Sequence, residues 1–264
     1  MTANDIAEAF VAARREARAL DDFPGAVPGD LADAYAAQEA ALGLDGRPLA
    51  GWKVALIRPE FRDRYPAERL AGPIFADAVV ELPKGGQATV PVYAGGFAAV
   101  EAEFVARIGR DLAPDEAPFA EPVVRAAIAA LHVGSEIASS PLGSLNALGP
   151  GAVISDHGNN GGAVVGPRIE GWDGLPLESL TSRAFIEGEL AGEGSAATVP
   201  GGPVAAVTFL ANHLAARGRT LRRGDIVLTG MTTGIHEVVP GSRARLEFAG
   251  AAPIDLTIAA FRPR

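Results

Sequence analysis

Val100-Glu101-Ala102-Glu103-Phe104-Val105-Ala106-Arg107-Ile108 is the stretch on which the reading of the fold turns. In an extended strand successive side chains alternate between faces. Glu101 and Glu103 therefore point one way, with α-carbons about 6.5–7 Å apart, while Ala102, Phe104 and Ala106 point the other. Taken alone, such an acidic pair also reads as a solvent-facing edge. Inside a sheet, two carboxylates on one poorly solvated face repel each other and lose hydration, and a divalent cation is the natural compensation.

Working outward, further strand-like runs separated by Gly and Pro cover residues 52–57, 78–82, 183–190, 225–229, 243–248 and 254–261. The amino-terminal part is helical instead. Ile6, Phe10, Ala13, Ala17 and Leu20 recur at helical spacing, and a second helix is capped by Asp30, runs through Tyr35 and Gln38, and stops at Gly43. Two more helices are expected at 122–133 and at 203–217. Helices first, then mostly strands with helical insertions, is the order of an α+β fold.

A third carboxylate extends the acidic pair. Glu136 follows the apolar run Ala130-Leu131-His132-Val133 and opens a short strand, where a charge is out of keeping with its neighbours. Three acidic groups on core strands make an oxygen-rich site suited to Mg2+ or Mn2+. Lys53 is the next signal, because only it and Lys84 are lysines among 23 basic residues, and it sits in the apolar strand Gly51-Trp52-Lys53-Val54. It reads either as an acid, base or anion anchor beside a metal or as a lysine reaching to water. The glycine-rich segment Ser155-Asp156-His157-Gly158-Asn159-Asn160-Gly161-Gly162 supplies Asp156, His157 and Asn160 to a ligand, or is a plain turn into a strand. The strand Gly224 to Thr229 runs into the hydroxyl-rich turn Met231-Thr232-Thr233, which could hold a substrate carboxylate. His132 and His213 read as structural residues of apolar helices, and His236 is ambiguous.

Composition removes whole classes of function. The 264 residues contain no cysteine, which excludes disulfides, thiolate metal sites and cysteine nucleophiles. A net charge of −9 without a dense basic run argues against nucleic acid as the partner. No phosphate-binding glycine loop and no GxSxG motif is present. The charged amino end resembles neither a secretory signal nor an anchor, and apolar stretches are cut by Gly, Pro and Ser, so a cytoplasmic protein without a membrane partner is expected.

Asp33-Ala34-Tyr35-Ala36-Ala37-Gln38, Gly51-Trp52-Lys53-Val54, Glu101-Ala102-Glu103-Phe104, Glu136-Ile137, Asp156 with Asn160 and Gly162, and Gly224-Asp225-Ile226-Val227-Leu228-Thr229-Gly230 follow one another along nearly the whole chain. In that order they resemble the fumarylacetoacetate hydrolase superfamily, in its branch of 2-keto-4-pentenoate hydratases and 2-oxo-3-enedioate decarboxylases. The resemblance implies a mixed β-roll core, the catalytic domain over 71–264, preceded by an amino-terminal helical part with the first strand over 1–70. It implies Mg2+ or Mn2+ held by Glu101, Glu103 and Glu136, a small 2-oxo acid as substrate, Lys53 at the reacting centre, Asp156, Asn160 and Thr233 at the substrate, and a homo-oligomer.

Departures from the pattern leave the reaction open. Hydratases of this branch carry an acidic residue just before the Tyr-Gly of a PDYG-like segment, whereas here Arg69-Leu70-Ala71-Gly72-Pro73 places Leu70 there. Ser139 and Pro141 replace an Asp and an Arg. His157 stands where Asn is frequent, and with an ordinary pKa near 6.5 it is the candidate for the lost proton transfer. Hydration of a 2-hydroxydienoate leads; decarboxylation of a 2-oxo-3-enedioate, hydrolysis of an acylpyruvate and noncatalytic 2-oxo-acid binding are the alternatives.

Overall fold

The computed structural model describes residues 2–264. Helices α1 (Ala3–Glu16) and α2 (Leu31–Asp45) come first. Thr2 caps α1 reciprocally with Asp5, and Asp30 caps α2. Helix α2 continues past the expected stop at Gly43 to a cap at Gly46, nearly one further turn. The remaining order is β1 (Leu49–Leu56), β2 (Arg69–Phe75), β3 (Val79–Glu81), β4 (Gly86–Val92), β5 (Phe97–Ile108), α3 (Glu121–Ala127), β6 (Ile128–Ser140), α4 (Leu145–Leu148), α5 (Pro150–Ser155), β7 (Asn160–Arg168), β8 (Thr181–Ile186), β9 (Glu189–Ser195), α6 (Gly202–Ala216), β10 (Ile226–Met231), β11 (His236–Glu237), β12 (Arg243–Phe248) and β13 (Ile254–Ala260).

The strands form two mixed sheets. One runs β2-β1-β10-β5-β6-β7-β3 with β11 added beside β5, and the other runs β4-β13-β12-β8-β9. The even-numbered residues Val100, Ala102, Phe104 and Ala106 of β5 enter the main core with Leu246, Phe248, Leu256 and the α6 residues Val207, Leu210 and Leu214. Odd-numbered Val105 faces the other way, into a smaller cluster with Ile74, Val165 and Leu228. The alternation expected from the sequence thus puts Glu101 and Glu103 on the face turned away from the main core. The α+β architecture is as read; the division expected at residue 70 falls inside β2, so the first strand shares its sheet with the rest.

Several elements differ from the sequence reading, β4, α4 and α5 among them, and three of the differences have a plain physical reason. The helix expected over 122–133 stops at Ala127, and the chain continues as β6, paired with β5 from Ile108↔Ile128 to Phe97↔Ser140. A short apolar run suits either state, and pairing along a twelve-residue partner strand decides for β. His132 is therefore a strand residue, its Nδ1 3.0 Å from the Gly166 carbonyl, and Glu136 lies well inside a long strand. The run 183–190 is a hairpin, β8 and β9, turning at Glu187 and Gly188, both at positive φ as a primed turn demands. Strand β2 was not expected at all. It is the sheet edge, and α2 covers it: the Ala71 N–H donates to Tyr35 Oη at 2.9 Å, and Gln38 Nε2 donates to the Ala71 carbonyl at 3.0 Å.

Candidate metal centre

Glu101 of β5 and Glu136 of β6 are directly opposed in the antiparallel ladder, and Glu103 follows two residues along on the same face. One carboxylate oxygen from each lies within 4.8 Å of the others. All three are buried, Glu136 completely. The strands thus bring together the three acids that the sequence singled out.

Neighbouring strands supply the rest of the site. From β1, Lys53 places its Nζ 3.1 Å from Glu136 Oε2. The β10–β5 ladder is irregular between Leu228 and Met231, where Gly230 adopts φ 116, and the freed Gly230 N–H donates to Glu103 Oε2 at 2.8 Å. Asn160, at the start of β7, donates its side-chain amide to Glu136 Oε1 at 2.9 Å. Glu136 Oε2 accepts no well-aligned hydrogen bond, although it is buried.

Three buried carboxylates facing one ammonium leave the site short of positive charge. Burial, reinforced by Glu136, pushes Glu101 up to about 8, and burial beside Glu136 and Glu101 holds Glu103 well above the usual carboxylate range. Burial alone would lower Lys53; the attraction of the three carboxylates outweighs it and raises the ammonium. An all-oxygen donor set, its surplus negative charge and a Glu136 Oε2 that has the Lys53 ammonium beside it but no aligned hydrogen bond fit a hard divalent cation such as Mg2+ or Mn2+.

A pH dependence follows. In metal-free protein the raised carboxylates hold protons that the unfolded chain has released, so stability is full below the ordinary carboxylate pKa and is lost as pH rises through about 8. Melting temperatures measured in a chelator should fall from about pH 5 to about pH 8, and Mg2+ should restore them most at the alkaline end. A flat metal-free profile would contradict the crowding.

Two expected contributors sit elsewhere in the network. Both Asp156 carboxylate oxygens are taken by Arg14, through Nε at 2.5 Å and Nη2 at 2.9 Å, which corrects the expectation that this carboxylate is free for substrate. The His157 ring packs edge-on against Phe75, with Nε2 3.9 Å from Asp45. Burial, with the nearby Arg14, lowers its pKa to about 3, and the other charges acting on it are Asp156, Asp45 and Arg47 rather than the three glutamates. An imidazole neutral throughout the physiological range cannot be the group titrating near neutrality that the sequence suggested. His157→Asn, a side chain that tolerates the positive φ of 54 found here, should cost about 1–3 kcal/mol of stability while turnover per folded molecule stays within about threefold. A loss above about a hundredfold in steady-state kinetics would return His157 to the catalytic set.

Thr233 is half-buried in the turn after β10, its hydroxyl 3.0 Å from His236 Nε2. The hairpin β8–β9 lies directly on this turn: a Cβ at Gly192 would stand 2.2 Å from the Thr233 carbonyl oxygen, and one at Gly194 2.0 Å from that of Thr232. Leu70 is buried with Tyr35, Ile57, Tyr65 and Ile154. The sequence reading missed Arg14, although it falls on the apolar stripe of α1 one turn after Phe10, and a charge there was the available signal. It also missed the Gly230 N–H, which only the ladder irregularity exposes.

The fumarylacetoacetate (FAA) hydrolase C-terminal family pattern matches residues 74–259. The chain is 29% identical over 272 residues to 2-keto-4-pentenoate hydratase 2 of Dechloromonas aromatica (strain RCB), covering 98% of this chain and 100% of that protein. Its structure is similar to 4-oxalocrotonate decarboxylase from Pseudomonas putida G7, complexed with magnesium and adipate, with a TM-score of 0.79 at 22% identity over 97% of each chain. It is also similar to fumarylpyruvate hydrolase from Pseudomonas aeruginosa in complex with Mn2+ and pyruvate, with a TM-score of 0.59 at 18% identity over 80% of this chain and 89% of that one. The paired strands with their three glutamates lie within the matched residues, and the chain belongs to the fumarylacetoacetate hydrolase family.

Proposed function

We propose that this protein is a divalent-metal-dependent lyase acting on a small 2-oxo or 2-hydroxydienoic acid, a hydratase of the 2-keto-4-pentenoate type. The observation that carries the reading is the buried cluster of Glu101, Glu103 and Glu136 with Lys53 at 3.1 Å from Glu136. Glu101, Glu103 and Glu136 would hold Mg2+ or Mn2+, which when bound supplies Lewis acidity to a chelating 2-oxo acid. Gly230 N–H and the Asn160 amide fix Glu103 and Glu136, so the oxygens need not reorganise when the site is loaded. The Lys53 ammonium, kept protonated by its carboxylate neighbours, stands ready to stabilise negative charge developing on the 2-oxo oxygen and to hold or deliver a proton there. The Thr233 hydroxyl would orient the substrate carboxylate.

Decarboxylation of a 2-oxo-3-enedioate is the second reading, and Leu70 favours it. Adding water across a double bond needs an acid/base group near the substrate chain, and at the position where hydratases carry one this protein has a leucine among apolar side chains. Loss of carbon dioxide needs only stabilisation of the electron pair left behind and a later proton. Incubation with Mg2+ and, separately, 2-hydroxypenta-2,4-dienoate, 4-oxalocrotonate and acetylpyruvate, followed by ultraviolet absorbance, separates the readings. Consumption of the first substrate supports hydration, and of the second alone decarboxylation; cleavage of the third alone makes it a hydrolase. No turnover of any, with tight oxalate binding, makes it a binder.

Self-association is part of the proposal. Met231, Ile235 and Val239, in and just beyond the turn that carries Thr233, expose apolar side chains, as does Leu190 of β9, and a second copy would cover them. Sedimentation should show a homo-oligomer rather than a 27.0 kDa species. Among the described residues no helix is long and apolar enough to cross a membrane, and we place the reaction in the cytoplasm.

A further inference from the structure

Arg14 is the one arginine of α1 that turns inward, and it is 6% exposed. Its fork is fully engaged. Nε and Nη2 hold the two Asp156 oxygens, Nη2 also donates to the carbonyls of Asp156 and Ser139, and Nη1 donates to the Asn160 carbonyl at 3.0 Å. A buried guanidinium is tolerated only when its charge and its donors are matched, and here one carboxylate and three main-chain carbonyls do so.

The partners lie on the way to the cation site. Asn160 opens β7 opposite Ala138, and the ladder is irregular directly after it, Gly161 being passed over before Ile137↔Gly162, so Asn160 is the last paired residue at this end of β7. Arg14 holds that carbonyl. The side-chain amide of the same Asn160 donates to Glu136 Oε1, while Glu136 Oε2 has the Lys53 ammonium at 3.1 Å and no aligned hydrogen bond.

We propose that Arg14 is a positioning residue for the cation site: by clamping Asp156 and the Asn160 main chain, it aims the Asn160 amide at Glu136 Oε1 and so leaves Oε2 turned toward the cation. The inference rests on the metal reading given above and assigns to α1, which precedes residues 74–259, a part in assembling the centre. Lysine cannot take its place, because a single ammonium does not span a carboxylate and three carbonyls with fixed geometry.

The test uses Mn2+ alone as the probe, with titration calorimetry for affinity and electron paramagnetic resonance for the symmetry of the bound ion. Arg14→Met by itself would strand the Asp156 charge in the interior, so the informative variant is Arg14→Met combined with Asp156→Leu, an apolar exchange of a buried ion pair that is often neutral for stability. Metal-free melting should stay near wild type, while Mn2+ affinity falls about 10–100-fold and the resonance spectrum changes. Arg14→Lys should lose affinity in the same direction. Asn160→Ala should show a comparable loss, and adding it to the double variant should cost little more, because both act along one path.

Wild-type affinity and spectrum in the double variant would overturn the proposal. So would losses that add in full with Asn160→Ala, or failure of every Arg14 variant to fold, since Arg14 would then serve stability alone. A wild-type protein that binds no Mn2+ would remove the metal reading itself, and this inference with it; that result is distinct from a wild type that binds and a variant that binds equally well.

Discussion

Glu103→Gln is expected to weaken Mg2+ or Mn2+ binding by more than about a hundredfold, because substituting a mere hydrogen-bond partner of a ligand already costs about 10–100-fold. Volume hardly changes, and the amide oxygen can still accept the Gly230 N–H that Glu103 Oε2 accepts at 2.8 Å. The fold should therefore survive. Indeed the metal-free protein should become more stable near neutral pH, since glutamine is neutral without the proton that Glu103 must take up on folding into the buried cluster. Calorimetric titration together with melting in a chelator reads both effects. Unchanged metal affinity would show that Glu103 is not a ligand, and a lower metal-free melting temperature would show that its charge was compensated within the protein.

Lys53→Met should act in the opposite sense on the two observables. Turnover should fall by about 10²–10⁴-fold, the usual range for removal of a positioned proton donor. Metal affinity should hold or rise, because the ammonium 3.1 Å from Glu136 Oε2 competes with a cation for the same oxygen. Methionine matches the length of the lysine stem, which packs close enough to Gly158 that a Cβ there would meet Lys53 Cδ at 3.2 Å. Steady-state kinetics on whichever substrate is turned over, with Mn2+ titration of the same preparation, checks the pair of outcomes. Loss of metal binding would recast Lys53 as a support for the carboxylates.

The acidic strand was legible because strand geometry has a period of two and leaves little choice: once Ala102, Phe104 and Ala106 are apolar, Glu101 and Glu103 must share the other face. Glu136 was legible as a misplaced charge, but its setting was not. The run from Ile128 to Ser140 carries no periodicity that separates helix from strand, and its pairing with β5 is a tertiary fact. The settings of Asp156 and His157 were not legible for the same reason. A polar glycine-rich segment announces a turn, whereas which side chain meets a ligand and which is consumed internally depends on a helix more than 140 residues earlier in the chain. The motif Asp33 to Gln38 entered the sequence reading only through the family resemblance; in three dimensions Tyr35 and Gln38 hold an edge strand.

The glycines at 192 and 194 tie two parts of the molecule mechanically. With no room for a methyl group over the Thr232 and Thr233 carbonyls, the hairpin cannot slide or be decorated without displacing that turn. On the role proposed for Thr233, attempts to widen the protein's substrate range by redesigning residues 230–234 alone would thus work against a fixed roof. Libraries that vary the turn and residues 187–194 jointly, so that both surfaces reshape together, are the ones from which altered selectivity should emerge.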